Sequence, residues 1–129
     1  MNGKNYLLDT NAIIALLKGH PKILNTIQSS DWIGISIISQ LEFLSYPHLS
    51  KLDIDLFIEF ANRIHIVDLK SSQTDLMEGI LQIRKENTLK LPDAIIAATA
   101  IKNDAALITA DNDFKKINGL EFIGFLPNE

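Results

Sequence analysis

The stretch YLLDTNAIIALLK, residues 6–18, changes its hydrophobic period within a few positions and thereby predicts how the chain begins to fold. Tyr6 to Leu8 form a continuous apolar run, which is typical of a strand that is buried on both faces of a parallel sheet. Asp9 ends this run, and from Asn11 onward apolar residues recur at helical spacing until Gly19 stops the helix. The stretch therefore predicts a strand that leads through an acidic residue into a helix.

The remainder of the chain continues this alternation of strands and helices. Further strands are predicted over residues 32–37, 63–67, 105–108 and 120–123. Further helices are predicted over residues 21–27, from 39 to just before Pro47, and over 52–61, 72–86, 92–102 and 113–117. Because this alternation is typical of βαβ units, we expect one α/β domain, residues 1–129, built around a mostly parallel sheet of about five strands.

The composition limits the classes of protein to which the chain can belong. The 129 residues carry a net charge of −4, so the chain is not a generally basic nucleic-acid-binding protein. The sequence has no cysteine, which excludes disulfides, thiolate metal sites and cysteine nucleophiles. Residues 1–6 show no signal-peptide pattern, and no apolar stretch approaches the roughly 18 residues of a membrane span. We therefore expect a soluble, cytoplasmic protein with no membrane association.

Four short motifs each place a carboxylate at the start of a predicted helix. They are LLDTN (residues 7–11), SQLE (39–42), LPDA (91–94) and TADNDF (109–114). The acids of the first and last motifs follow predicted strands, and in open parallel sheets ligands bind beyond the carboxyl ends of the strands. Because carboxylates a few ångströms apart repel one another, we expect a shared acidic pocket that requires a cation.

The side chains in these motifs predict which cation and which chemistry the pocket supports. Carboxylate oxygens suit Mg²⁺ or Mn²⁺ better than Zn²⁺, and Mg²⁺ is usually held by one or two carboxylates together with waters and substrate phosphates. A metal ion in such a pocket generates a hydroxide nucleophile and neutralises charge that develops on a phosphate. The motifs therefore predict hydrolysis of phosphodiester bonds. The acids concerned are Asp9, Glu42, Asp93, Asp111 and Asp113.

Each acid also has a purely structural explanation when it is considered alone. Asp9 can cap the helix that follows it, and Ser39 with Glu42 has the spacing of a capping box, which favours a structural role for that glutamate. Asp93 lies in a first helical turn, where the helix dipole favours an acid by about 0.3–1 kcal/mol. The Asp-Asn-Asp turn at 111–113 can also cap a helix. The functional interpretation depends on the convergence of all four motifs at one edge of the sheet.

Together the four motifs resemble those of the PIN domain family, and the size and motif set look most like the VapC-type toxins of toxin–antitoxin systems. The resemblance extends from Tyr6 to about Phe122, and the first and third motifs are specific in combination. It implies a three-layer α/β/α fold with a mostly parallel sheet of about five strands. It also implies a ribonuclease, commonly endonucleolytic, that depends on Mg²⁺ or Mn²⁺.

The resemblance further implies roles for individual acids. Asp9, Glu42 and Asp93 match the three core acids of the family. Asp111 best matches the fourth acidic position, and Asp113 is the candidate that replaces or assists it. On this basis Asp9, Glu42, Asp93 and Asp111 are expected to be the metal ligands. The same four acids and Asp113 are expected to be the catalytic residues.

The resemblance also implies supporting residues and partners. Asn11 and Thr109 match polar residues that support the site in the family. The expected partners are an RNA substrate, a cognate antitoxin whose C-terminal tail lies across the catalytic groove, and a second copy of the chain in a homodimer. We expect the dimer interface to use the apolar faces of residues 41–60, whose Phe and Leu side chains look exposed.

Two other functions are compatible with parts of the pattern. A phosphoreceiver-type signalling domain has a similar length and acids at strand ends, with Asp68 as the phosphoacceptor. It needs an acidic pair after the first strand and a lysine at the end of the fifth, whereas the chain has DTN at 9–11 and FIGF at 122–125. The second alternative is a PIN-like domain that binds RNA or a partner without cleaving it, which a metal titration with a nuclease assay distinguishes.

Overall fold

A computed structural model describes residues 4–129 of the protein and contains a sheet of five parallel strands. Residues 1–3, which belong to the predicted domain and to the stretch without a signal-peptide pattern, lie outside the described residues. The predicted parallel sheet of about five strands is therefore confirmed. The strands are β1 (Asn5–Leu8), β2 (Trp32–Ser36), β3 (His65–Val67), β4 (Ala106–Thr109) and β5 (Phe122–Gly124).

Six α-helices and one short 3₁₀-helix connect the strands within residues 4–129. Each corresponds to a predicted helix, although the last one is a 3₁₀-helix and several ends differ by one or two residues. None of the helices in this range is long and apolar enough to cross a bilayer. The helices are α1 (Thr10–Leu17), α2 (Pro21–Ile27), α3 (Ile37–Leu44), α4 (Lys51–Ala61), α5 (Thr74–Asn87), α6 (Leu91–Lys102) and the 3₁₀-helix Asn112–Lys116.

The two faces of β1 are buried in two different apolar cores. Leu8 lies in one core with Ile35 of β2 and Ile108 of β4, where α1 and α2 cover the sheet. Leu7 lies in the other core with Ile96 of α6. Leu7 and Leu8 are both fully buried because successive side chains of a strand point to opposite faces of the sheet. Helices thus cover both faces, which gives the predicted three-layer α/β/α arrangement.

The order of the strands in the sheet is β3-β2-β1-β4-β5, so β1 and β4 lie side by side at the centre. The chain extends from β1 through β2 to β3 and then returns to the opposite side of β1 at β4. The carboxyl ends of β1 and β4 therefore form the topological switch point, where open α/β sheets bind ligands. The backbone N–H of Asp9 donates to the carbonyl of Ile108 across this point at 3.0 Å.

The strand order also excludes the phosphoreceiver alternative. The doubly wound sheet of such domains has the order 2-1-3-4-5, in which the third strand lies beside the first. Here β3 lies at the edge of the sheet and is separated from β1 by β2. Asp68, which follows β3, is exposed at this edge and cannot serve as the phosphoacceptor of a central acidic pocket.

The capping box predicted for Ser39 and Glu42 is absent. Helix α3 begins directly after β2, and its N-cap is Ser36, whose hydroxyl accepts a backbone N–H of the first turn at 3.1 Å. Ser39 is therefore already inside the helix, where it is fully buried. A capping box does form at α4, between Ser50 and Asp53. The structural explanation for Glu42 is wrong, because its carboxylate is not needed at the helix N-terminus.

The apolar surface expected over residues 41–60 is formed mainly by leucine and by Ile58 rather than by phenylalanine. Phe43 and Phe57 are 4% and 2% exposed and stack on each other with ring centroids 4.7 Å apart. The expectation that these rings are exposed is wrong because both lie on the helix faces that cover the sheet. Leu41 and Leu52 are 58% and 66% exposed and represent the leucines that remain on the outer surface.

Candidate active site

Four of the predicted acids line one open cavity beyond the carboxyl ends of β1 and β4. The cavity has a volume of about 310 Å³. The acids come from four separate elements: the N-terminus of α1, the body of α3, the first turn of α6 and the N-terminus of the 3₁₀-helix. The fold therefore brings the four sequence motifs together. The lining residues are Asp9, Glu42, Asp93 and Asp111, together with Thr10, Asn11, Ser45 and Tyr46.

Asp9 is a helix cap and also the most buried acid of the cavity. Its Oδ1 accepts the backbone N–H of Thr10 at 2.8 Å, so the predicted N-cap of α1 is present. Its Oδ2 accepts the hydroxyl of Thr109 at 2.8 Å. Burial raises the pKa of Asp9 to about 6, and the nearby charges of Asp93 and Glu42 act in the same direction. The structural and functional explanations of this aspartate therefore do not exclude each other.

Asn11 and Thr109 connect the start of α1 to the loop after β4. The Thr109 hydroxyl donates to Asp9 and accepts the backbone N–H of Asp111 at 3.0 Å. Asn11 Oδ1 accepts the backbone N–H of Ala110 at 3.0 Å, and its Nδ2 lies 3.4 Å from oxygens of both Asp9 and Thr109. These contacts fix the position of Asp9 relative to Asp111, and the supporting role of Asn11 and Thr109 in catalysis stays a prediction.

Glu42 is held by a residue that the sequence interpretation did not assign to the site. The hydroxyl of Thr10 donates to Glu42 Oε1 at 2.6 Å, and Thr10 is only 7% exposed. This hydrogen bond joins α3 to the start of α1 and points the glutamate toward Asp9. The available signal was the position of Thr10, a hydroxyl residue at the first helical position directly after an acid.

Asp93 lies in the first turn of α6, a helix whose residues 94–100 are all buried. Partial burial is the main cause that raises the pKa of Asp93, and the charges of Asp111 and Glu42 add to it. The positive charge of Lys90 lowers the pKa of Asp93. Since α6 is packed along most of its length, the position of Asp93 is set by the core.

The two acids of the last motif occupy different environments. Asp111 lines the cavity and caps the 3₁₀-helix, because its Oδ1 accepts the backbone N–H of Asp113 at 2.9 Å. Asp113 is exposed and does not line the cavity, although its charge contributes the smallest of the effects that raise the pKa of Asp93. Of the two candidates, Asp111 is the one that faces the other acids.

Tyr46 and Ser45 are also lining residues that the sequence interpretation missed. They follow the last residue of α3, and nothing in the linear sequence indicates that this end of the helix reaches the switch point. Burial raises the pKa of Tyr46, and the charges of Glu42 and Asp9 add to that effect. The phenol therefore lies near the same acids that define the cavity.

The acids of the cavity lack a neutralising ion pair. Within the described chain, the two ion pairs join Lys51 to Asp55 on α4 and Arg63, just after this helix, to Glu59. Unpaired carboxylates that repel one another at a partly buried edge suit a divalent cation. Across residues 4–129, no three acidic or histidine side chains are spaced as a complete ligand set. A hydrated Mg²⁺ or Mn²⁺ does not need such a set, because it is usually held by one or two carboxylates together with waters and substrate phosphates.

Comparisons with known proteins agree with this fold. A PIN domain family model matches residues 6–120. A chain of VapBC2 from Rickettsia felis shares 23% identity at a TM-score of 0.78, over 95% of this chain and 99% of that one. A chain of a toxin–antitoxin complex from Klebsiella pneumoniae shares 28% identity at a TM-score of 0.74, over 95% and 97%. A chain of VapBC-1 from nontypeable Haemophilus influenzae shares 24% identity at a TM-score of 0.70, over 93% and 97%. None of the curated proteins gives a significant match in sequence.

Proposed function

Since the chain belongs to the PIN domain family, we propose that it is a metal-dependent ribonuclease and the toxin of a toxin–antitoxin pair. The observation that carries this proposal is the convergence of four carboxylates from four elements on one cavity, where none of them forms an ion pair with a described Lys or Arg. Such a cavity attracts a divalent cation and, through it, a phosphodiester. The similarity to a chain of the Klebsiella pneumoniae toxin–antitoxin complex supports the biological role.

The proposed metal site comprises Asp9, Glu42, Asp93 and Asp111, of which one or two would hold the ion directly and the others through its waters. When bound, Mg²⁺ or Mn²⁺ polarises a phosphate oxygen and lowers the pKa of an attacking water. The protein contributes the positions of the carboxylates. Thr109 fixes one oxygen of Asp9, and Thr10 fixes one oxygen of Glu42, so that little reorganisation of these side chains is needed on binding.

The carboxylates also act on water and protons in this proposal. Asp93 is only partly buried, so its carboxylate is accessible to a water, and we assign it the role of orienting that water. Asp9 is enclosed by three hydrogen-bond donors and is better suited to hold charge in place. We assign Asp113 a secondary role, since it lies outside the cavity lining.

The proposed partners follow from the toxin role. A cognate antitoxin would inhibit the site, and a homodimer would cover the exposed leucines of α4, Leu52 and Leu56. The support is the shared fold with chains of VapBC complexes and the presence of large apolar side chains on that surface.

The test is cleavage of single-stranded RNA by the purified chain with Mg²⁺, with Mn²⁺ and with EDTA. We expect cleavage with either metal, none with EDTA, and a loss of about 100-fold or more in Asp93→Asn. Asp55→Asn is the matched control, because Asp55 is an exposed aspartate on α4 outside the cavity. If Asp93→Asn, prepared in parallel, cleaves RNA as fast as the unaltered protein, the nuclease proposal is wrong. RNA binding without cleavage would instead support the non-catalytic PIN-like alternative.

A further inference from the structure

Tyr46 is the one aromatic residue among those that line the acidic cavity, whose other lining residues are acids, threonine, asparagine and serine. It follows Glu42 by four positions, and its backbone N–H donates to the carbonyl of Phe43 at 3.3 Å. Residues four apart lie on the same side of a helical turn, so the phenol is placed on the side of α3 that carries Glu42. Since Tyr46 is 44% exposed, an aromatic surface is available to a ligand beside the carboxylates.

The ring of Tyr46 lies next to a buried aromatic side chain, which stacks on a second one. The ring centroids of Phe43 and Tyr46 lie 6.3 Å apart, with an angle of 53° between the ring planes. Phe43 in turn stacks on Phe57, with ring centroids 4.7 Å apart. Tyr46 also lines a separate groove of about 210 Å³ with Ile14 and Leu17, so it forms the wall between this groove and the acidic cavity. A side chain held in this way loses little conformational freedom when a ligand packs on it.

We propose that the ring of Tyr46 stacks against the base of a nucleotide that flanks the scissile phosphate. The proposal rests on the ribonuclease function and identifies the feature by which the site holds single-stranded RNA. The carboxylates and their cation can bind a phosphate, but they offer no surface for the flat base attached to the same nucleotide. Exposed aromatic rings are the usual partners of unpaired bases, and stacking tolerates every base.

The charge of the site increases the need for such a contact. Among residues 4–129, no Lys or Arg lines the cavity, and the chain has a net charge of −4. Contacts from cationic side chains supply most of the affinity in many nucleic-acid complexes. Where the lining provides no cationic side chain, an aromatic contact next to the reacting phosphate can supply binding energy. This energy depends less on salt concentration than the energy of contacts between cationic side chains and phosphates.

The competing explanation is that Tyr46 belongs to a protein interface. Leu44 lies two residues away, is 43% exposed and does not line the cavity, so it is the matched control for a general effect of this surface. Stacking requires an aromatic ring and a base, whereas an apolar protein contact requires neither. Tyr46→Phe therefore keeps the proposed contact, and Tyr46→Leu removes it while retaining an apolar side chain over Phe43.

The experiment compares these variants on a single-stranded RNA with one mapped cleavage site. The same RNA is also prepared with an abasic residue on either side of the scissile phosphate. We expect kcat/KM to fall by about 5- to 150-fold in Tyr46→Leu and Tyr46→Ala and to stay near the unaltered value in Tyr46→Phe and Leu44→Ala. One abasic RNA should lower kcat/KM of the unaltered protein by a similar factor and cause no further loss in Tyr46→Leu.

A binding measurement gives a second readout that does not depend on cleavage. With 2-aminopurine at the sensitive position and Asp93→Asn as the background, stacking should quench the fluorescence, and Tyr46→Leu should abolish the quenching. The inference is overturned if Tyr46→Leu acts normally on intact RNA, if Tyr46→Phe loses as much as Tyr46→Leu, or if Leu44→Ala loses as much. An unaltered protein that cleaves no RNA refutes the ribonuclease function itself, so the two failures are distinguishable.

Discussion

Thr109 and Asp9, which are 100 residues apart in sequence, are joined by a hydrogen bond of 2.8 Å from the threonine hydroxyl to Asp9 Oδ2. The same hydroxyl accepts the backbone N–H of Asp111 at 3.0 Å. One fully buried side chain thus sets the distance between two of the proposed metal ligands. Residues that orient a ligand in this way often matter nearly as much for metal affinity as the ligand itself.

Replacement of Thr109 by valine should weaken both the fold and the site. The substitution preserves the β-branched shape in β4 but leaves Asp9 and the Asp111 N–H without their partner, at a cost of about 1–3 kcal/mol in the free energy of unfolding. We expect Mg²⁺ affinity and kcat/KM to fall by about 10- to 100-fold, while Thr109→Ser retains most of both. Urea denaturation, metal titration and RNA cleavage measure these quantities.

The matched control is Thr99→Val, at another buried threonine. Thr99 is 3% exposed, and its hydroxyl donates to the carbonyl of Ile95 within α6, outside the cavity lining. This substitution should lower stability without changing the metal affinity of the folded protein. Equal losses of Mg²⁺ affinity in Thr99→Val and Thr109→Val would show that Thr109 has no specific role in the site.

The raised pKa of Asp9 predicts that the metal-free protein is destabilised by its own site. The ordinary pKa of 3.8 applies to the unfolded chain, and burial raises the folded value to about 6. At pH values well below 3.8 the carboxyl is protonated in both states and carries no penalty. Between these two values the unfolded chain ionises first, so the penalty grows with pH and reaches about 3 kcal/mol above pH 6.

Asp9→Asn should therefore stabilise the protein in EDTA at pH 8, by no more than about 3 kcal/mol because some hydrogen bonds to Asp9 are altered. The gain should be smaller at pH 5, where the folded carboxyl is largely protonated. Urea denaturation at the two pH values measures the difference, with Asp55→Asn as an exposed control. A gain in Asp9→Asn that is equal at both pH values would contradict the raised pKa.

Mg²⁺ should reverse this penalty in the unaltered protein. An ion that binds only the folded state stabilises it by about 2.7 kcal/mol at a concentration 100 times Kd. We therefore expect the melting temperature to rise with Mg²⁺ concentration at pH 8, and to rise less in Asp93→Asn. Potassium chloride at equal ionic strength controls for screening. A melting temperature that responds equally to both salts would argue against a specific divalent site.

The sequence was sufficient to predict where the first acid would lie. Leu7 and Leu8 are both fully buried, as the continuous apolar run indicated, and this pattern is typical of a central parallel strand. Since carboxyl ends of parallel strands share one edge, the position of Asp9 after β1 and of Asp111 after β4 followed from the strand pattern alone.

The environment of Glu42 could not be predicted from the pattern of strands in the sequence. Ser36 and Ser39 both have suitable side chains for an N-cap, and local spacing favoured the pair Ser39–Glu42. Strand β2 ends at Ser36, which makes Ser36 the N-cap of α3, and the hydroxyl of Thr10 binds the Glu42 carboxylate. Both contacts depend on tertiary packing. The burial of Phe43 depends similarly on which face of α3 covers the sheet.

The two acids of the last motif, Asp111 and Asp113, should contribute unequally to RNA cleavage. Asp111→Asn and Asp113→Asn should fold alike, because an asparagine oxygen can still cap the 3₁₀-helix at 111 and because the N–H donated at 113 belongs to the backbone. Asp111 lines the cavity, so its neutralisation should lower kcat/KM by about 100-fold or more. Asp113 is exposed, so its neutralisation should change kcat/KM by about five-fold at most. Single-turnover cleavage with saturating Mg²⁺ measures both variants, and the reverse order of effects would identify Asp113 as the fourth acid.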